Sequence, residues 1–215
     1  MDVSYSEGLL PLRQSLSEPI ARLMDAVRYL DAAVSAHLER KFALAEDLLR
    51  LADIAEIRVW GKSIWANSDV HVRSRSTEPT LPKELRSRSR LPTSAQKERV
   101  HARDGYHCRF CGMPVVKSST RKLLHLAYPL AVPWGAKKSD QHAALLAMWA
   151  QYDHVIPHSR GGLTDHDNLV LTCAPCNFGR AGFMLEEVGV AEPWLRPPVK
   201  SAWDGLERFR PLSAS

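Results

Sequence analysis

Two Cys-x-x-Cys pairs set the constraint that any fold of this 215-residue chain must meet. Cys108-Arg109-Phe110-Cys111 and Cys173-Ala174-Pro175-Cys176 are far apart in sequence, yet four thiolates in two close pairs can complete a tetrahedral zinc shell. The intervening chain must then leave one point and return to it. All four cysteines are consumed by the two pairs, and in a reducing compartment such pairs hold metal in preference to forming disulfides. Asp153-His154 and Asn168 lie between the pairs, and the second pair runs straight into Asn177. A carboxylate beside an imidazole offers one ligand for a hard cation and one general base. One metal would build the site, and another would work in it.

Charged residues make up 25% of the sequence and hydrophobic ones 45%, a globular composition without an apolar run of membrane-spanning length. The opening Met1-Asp2-Val3-Ser4 lacks the basic and apolar regions of a signal peptide, so the expected compartment is the cytoplasm, with no membrane partner. A net charge of +5 makes a polyanionic partner plausible, and its distribution is more telling. From Arg58 to Arg103 there are eleven Lys or Arg against four Asp or Glu, an excess of seven (11 − 4) that exceeds the whole-chain value.

The chain divides on these patterns into a helical N-terminal region (1–60), a basic linker (61–93), a metal-binding module (94–190) and an irregular tail (191–215). Ser17-Glu18-Pro19 reads as a helix start, with a hydroxyl to cap and a proline in the first turn. Apolar residues then recur at helical spacing from Ile20 to Ala52. This stripe predicts one long helix, or two bent near His37 to Lys41, buried in an intramolecular hairpin or in a homodimer. The Ser-, Arg- and Pro-rich stretch after Gly61 carries Arg73, Arg75, Arg86, Arg88 and Arg90 and is expected to touch phosphate. A short helix from Ser94 to Arg103, ended by Asp104-Gly105, precedes a strand over Tyr106 to Phe110. A largely helical insert, capped at Ser139, occupies about 115–151, and a helix begun at Asn177 is expected to run through Val188. His125 and His142 in the insert are isolated histidines with no expected part in chemistry.

Tyr152-Asp153-His154-Val155-Ile156-Pro157-His158-Ser159-Arg160-Gly161-Gly162, then Asn168-Leu169-Val170-Leu171, then Cys173-Ala174-Pro175-Cys176-Asn177, closely resemble the HNH endonuclease family. With the preceding helix and first knuckle, the resemblance covers about half the chain, from Ser94 to Glu187. It implies an α+β fold, a ββα-metal (HNH, or His-Me finger) module with zinc knuckles, here preceded by α-helices. It further implies that Asp153 and Asn177 hold a catalytic divalent ion, Mg²⁺ or Mn²⁺, and that His154 removes a proton from the attacking water. Asn168 would brace the loop between the strands, and Cys108, Cys111, Cys173 and Cys176 would hold a structural Zn²⁺. Arg160, and Arg180 where the family usually has lysine, would contact phosphate. The implied reaction is hydrolysis of phosphodiester bonds in DNA, or in RNA, leaving 5′ phosphate and 3′ hydroxyl ends. His158, following the Pro157 turn, is expected to face solvent.

Two other classes compete. The Cys173-Ala174-Pro175-Cys176 dithiol is similar to that of thioredoxin-like oxidoreductases, but redox chemistry would use one pair only and needs a βαβ context. A zinc-stabilised nucleic-acid-binding module without cleavage activity would use the knuckles and basic segment alone, and the intact Asp153-His154 pair argues against it.

Overall fold

The computed structural model describes residues 11–76 and 79–211. The first ten residues of the helical region, Thr77 and Glu78 of the basic segment, and the last four residues of the tail lie outside the described residues. The apolar stripe resolves into α1 (Ala21–Leu38), α2 (Phe42–Leu51) and α3 (Ala55–Trp65). Ser17 does not cap the first of these, because α1 begins at Ala21 with Ile20 as its uncapped flank.

The bend expected near His37 to Lys41 has a defined cause. Arg40 adopts φ 62°, which lets Arg40 N–H donate to the His37 carbonyl and Lys41 N–H to the Ala36 carbonyl. Those two bonds satisfy helix-end acceptors in a Schellman arrangement and turn α2 back on α1. A second break at Asp53–Ile54, which the stripe does not announce, lets α3 reverse again. Leu23, Leu30, Ala33, Val34, Leu49, Ile57 and Ile64 from these helices join one core with Leu145, Met148, Leu169 and Leu171. Most of the stripe is therefore covered within the chain itself, while Leu38, Phe42, Leu44 and Leu51 stay exposed.

The boundary expected at residue 60 falls inside α3, which packs directly on the metal-binding module. α4 (Ser94–Asp104) starts from a capping box in which Thr93 Oγ1 accepts from Gln96 N–H and the Gln96 side chain accepts from Thr93 N–H. It ends at Gly105, φ 70°. Tyr106–Phe110 forms no strand, only an isolated bridge between His107 and Pro114. The insert holds α5 (Ser118–Ala127) and a short α6 (Ala143–Ala147), whose cap is His142 and not Ser139.

β1 (Gln151–His154) and β2 (Leu169–Thr172) pair antiparallel, with Asp153 opposite Val170 and His154 opposite Leu169. α7 (Ala174–Arg180) follows at once, completing ββα, and an α+β fold results. The helix expected to reach Val188 stops at Arg180, because Ala181 turns to φ 52°. α7 can lie against α3 because Gly179 has no side chain. A Cβ there would come within 2.6 Å of Ile64 Cγ2 and 2.8 Å of Leu16 Cδ1.

Candidate functional site

The first knuckle is a tight turn in which Gly112 N–H donates to the Cys108 carbonyl and Cys108 N–H to that of Met113. Gly112 sits at φ 74°, a conformation that favours glycine. The knuckle is pinned to β2 because Arg109 N–H donates 2.8 Å to the Leu171 carbonyl. The second knuckle opens α7, with Cys173 at its start and Pro175 in the first turn, where the missing N–H costs no helix bond.

The four sulfur atoms thereby come within 4.8 Å of one another, and Cys111 Sγ lies 3.6 Å from Cys173 Sγ. A tetrahedral zinc with bonds of about 2.3 Å places its sulfurs roughly 3.8 Å apart, so the donor set fits that ion. Burial opposes ionisation of the Cys108 thiol, yet hydrogen bonds from Cys111, Cys173 and Cys176 hold it well below the ordinary thiol range. Burial, then hydrogen bonding with Cys108 and Cys111, pushes Cys173 up, with Cys176 pulling the other way. Hydrogen bonding within the cluster, then burial, pushes Cys176 up as well. A bound cation would offset the negative charge of thiolates held this close together. A redox dithiol would use one pair, whereas here the two pairs share one cluster.

Asp153 and His154 close β1, and both are buried. They face a groove of about 1580 Å³ whose lining also includes Tyr152, Asn177, Phe178, Lys138 and the segment Lys83–Pro92. The lining cations are Lys83, Arg86, Arg88, Arg90, Lys138 and Arg180, against the carboxylates Glu84 and Asp153. The basic segment is thus a strap across the site. Leu81 N–H donates 2.8 Å to the Ser159 carbonyl, and the carbonyls of Ser87 and Ser89 receive His158 Nε2 and Thr164 Oγ1. His158 does not face solvent: it lines the groove, half-buried, its ring centre 6.0 Å from that of His154.

Asn168 spans the loop between the strands. Its amide oxygen accepts from Ile156 N–H at 2.7 Å, and its nitrogen donates to the carbonyls of Ile156 at 3.0 Å and Leu163 at 2.8 Å. The loop crosses itself so closely that a Cβ on Gly162 would meet the Ile156 carbonyl oxygen at 1.8 Å. His154 Nε2 lies 2.9 Å from Thr164 Oγ1. Burial, the neighbouring His158 and the positive charges of Arg180 and Arg90 lower the imidazole to about 4. It is therefore neutral, and able to accept a proton, across the physiological range.

Arg180 and Arg160, expected to contact phosphate, each pair with a carboxylate of the chain. Arg180 is buried and holds Asp153 with two bonds, Nη2 to Oδ1 at 2.7 Å and Nε to Oδ2 at 3.0 Å. Its remaining donors reach the carbonyls of His154, Val155 and Phe183. Burial pushes the Asp153 carboxyl up, and Arg180 pulls it back without cancelling the rise. Arg160 Nη2 pairs with Glu187 Oε1 at 3.2 Å.

Asp153 and Asn177 are the candidate donors for a second metal. Asn177 Nδ2 donates weakly to Gln151 Oε1 at 3.4 Å, leaving the amide oxygen for another partner. Each Asp153 oxygen keeps a lone pair beyond its bond to Arg180, so one carboxylate and one amide oxygen fit a hard divalent cation. Lys138 and Thr164 carried no signal in the sequence. The Lys138 ammonium sits 4.8 Å from the Trp65 ring centre and 4.6 Å from that of Phe178, at the groove and without an ion pair among the described residues.

The family model described as HNH endonuclease matches residues 139–179. That span contains Asp153, His154, Asn168, the second knuckle and Asn177, and places a nuclease-family domain here. The first knuckle and the strap fall outside it. No curated protein and no solved structure matches the chain. Among the described residues no helix is long and apolar enough to cross a membrane.

Proposed function

We propose that the protein is a metal-dependent endonuclease that hydrolyses phosphodiester bonds in DNA, with His154 as general base. One observation carries the reading: Asp153, His154 and Asn177 line a single groove together with the arginine strap. A neutral imidazole can take the proton of an attacking water, and general-base help of this kind is worth about 10² to 10⁴ in rate. Asp153 and Asn177 would hold a divalent ion, Mg²⁺ or Mn²⁺, which when bound stabilises charge on the phosphoryl group and the departing oxygen. Arg180 fixes the Asp153 carboxylate, and Asn168 fixes the loop that follows His154. Phosphate contacts fall to Arg88, Arg90 and Lys138, since Arg160 and Arg180 are already paired. The thiolates hold zinc for structure.

The second reading, a zinc-stabilised module that binds nucleic acid without cutting it, draws on the two bonds by which Arg180 already occupies Asp153. Supercoiled plasmid and a single-stranded oligonucleotide, incubated with Mg²⁺, Mn²⁺ or EDTA, separate the two. The intact chain should cut in a divalent ion and not in EDTA, leaving 5′ phosphates, and His154→Ala should be inactive. Equal cutting by both proteins would sink the general-base assignment, and binding without cutting would establish the second reading. An RNA substrate in parallel tests the choice of DNA.

A further inference from the structure

Thr164 closes one side of His154, and counting its protons fixes what the imidazole can do. A hydroxyl has one hydrogen, and Thr164 Oγ1 spends it on the backbone carbonyl of Ser89, which can only accept. Toward His154 Nε2, 2.9 Å away, only the oxygen lone pairs remain. The hydrogen in that contact must therefore sit on Nε2.

We infer that Thr164 and the Ser89 carbonyl form a relay that holds His154 as its Nε2–H tautomer and leaves Nδ1 as the nitrogen that takes the proton. The inference rests on the general-base reading above and adds to it a positioning residue and a direction. Water gives a proton to Nδ1, the O–H bond breaking as the N–H bond forms, and the oxygen keeps the electron pair with which it attacks phosphorus while the bond to the 3′ oxygen breaks and that oxygen departs with the bonding electrons. Nε2–H stays in place throughout, and its bond to Thr164 strengthens once the ring is charged.

The surroundings hold the relay at both ends. Gln96, from the capping box of α4, donates its side-chain nitrogen to the Thr164 carbonyl, and Asn168 Nδ2 donates to the preceding carbonyl of Leu163. On the strap, the Ser87 carbonyl receives His158 Nε2 at 2.8 Å, two residues from the Ser89 contact. The segment whose arginines line the groove therefore also orients the base through its backbone. A strap displaced from the loop would leave Thr164 free to turn its hydrogen toward His154, favouring the tautomer with Nε2 as acceptor.

The test pairs kinetics with a direct view of the ring. Thr164→Val removes the hydroxyl at nearly constant shape, and Thr164→Ser keeps it. Both are compared with the intact chain and His154→Ala in cleavage assays, and ¹⁵N spectra of the His154 ring are recorded for the intact chain and both Thr164 variants. The intact chain should show a protonated Nε2 and a bare Nδ1. Thr164→Val should lose about 10- to 100-fold in kcat with KM unchanged, the usual effect of removing a group that orients a site histidine. Thr164→Ser should restore most of that loss and the intact ring spectrum. A hydrogen on Nδ1 in the intact chain, or undiminished kcat in Thr164→Val, would overturn the relay. Should the intact chain cut nothing in any divalent ion, the nuclease reading fails while the ring spectrum still decides the tautomer.

Discussion

Replacing Arg180 with Met tests what holds the floor of the groove. The guanidinium is 2% exposed and its partner carboxylate 8%, so removing it strands a charge on Asp153 away from water. Breaking a buried ion pair from one side costs about 3–5 kcal/mol, because the survivor keeps its desolvation penalty and loses its compensation. The carbonyls of His154, Val155 and Phe183 lose a donor as well, and each buried acceptor left unmade adds roughly 1 kcal/mol or more. Met fills much of the same volume, so a cavity adds little. Urea unfolding at fixed free zinc should therefore give a loss of at least about 3 kcal/mol for Arg180→Met. A cycle with Asp153→Asn isolates the pair itself: the double variant should be more stable than the sum of the single losses requires, by about 1–3 kcal/mol, as for other groups in direct contact. The unfolding slope must stay constant across the four proteins for that arithmetic to hold. A loss under about 1 kcal/mol, the size of an exposed pair, or strict additivity would refute the buried clamp.

Three further outcomes follow from separate features. The intact chain should hold one tightly bound zinc, retained in Asp153→Ala and lost in Cys108→Ser, which metal analysis after gel filtration checks directly. Lowering His154 to about 4 favours its neutral form, so cleavage should stay level from pH 8 down to about 5 and fall as pH approaches 4. Because the unfolded imidazole titrates near 6.5, this group's contribution to stability is complete above that pH and is lost as pH falls through 4. A cleavage midpoint near 6.5 would contradict the burial of the ring. Arg40→Gly should raise stability by about 0.5–1 kcal/mol, read as a shift in the urea midpoint, because glycine meets no Cβ penalty at φ 62°.

The parts of the site that were legible in the sequence are those where chemistry demands a residue type. Four thiolates, a carboxylate beside an imidazole, and an amide across a loop leave side-chain signatures at fixed spacing. The strap left none of that kind. Its contacts run through the backbone carbonyls of Ser87 and Ser89, and any residue supplies a carbonyl, so its composition reads as a polar linker. Arg180 was visible as a cation but not as a buried one, since its enclosure comes from Asp153 and the carbonyls of His154, Val155 and Phe183, which only the folded chain brings to it. The break between α2 and α3 was hidden for a different reason. No glycine or proline marks Asp53–Ile54, and tertiary contacts decide against the helix: Asp53 Oδ1 accepts from Ala143 N–H and from Arg58 Nη2.

Those contacts also bear on why so short a matched segment sits in so long a chain. Residues 139–179 carry the groups that would do chemistry, but each is positioned from outside that span. Cys108 and Cys111 complete the cluster that includes Cys176, and Asn177 is the next residue, so a metal held there would set where the amide oxygen lies. Ile64 and Leu16 fill the space that Gly179 leaves beside α7, tying the helical region to the same helix from its other face. Ser89 holds Thr164, which holds His154. A closed four-sulfur shell tolerates variation in the length of the chain it encloses, because it constrains the ends and not the path between them. Asp153 and His154 therefore depend less on the length of the insert than on β2, which is anchored at Leu171 by Asp104 and Arg109. The strand pair carries Asp153 and His154, while the four-cysteine cluster and α3 hold α7 and the strap holds Thr164 beside His154.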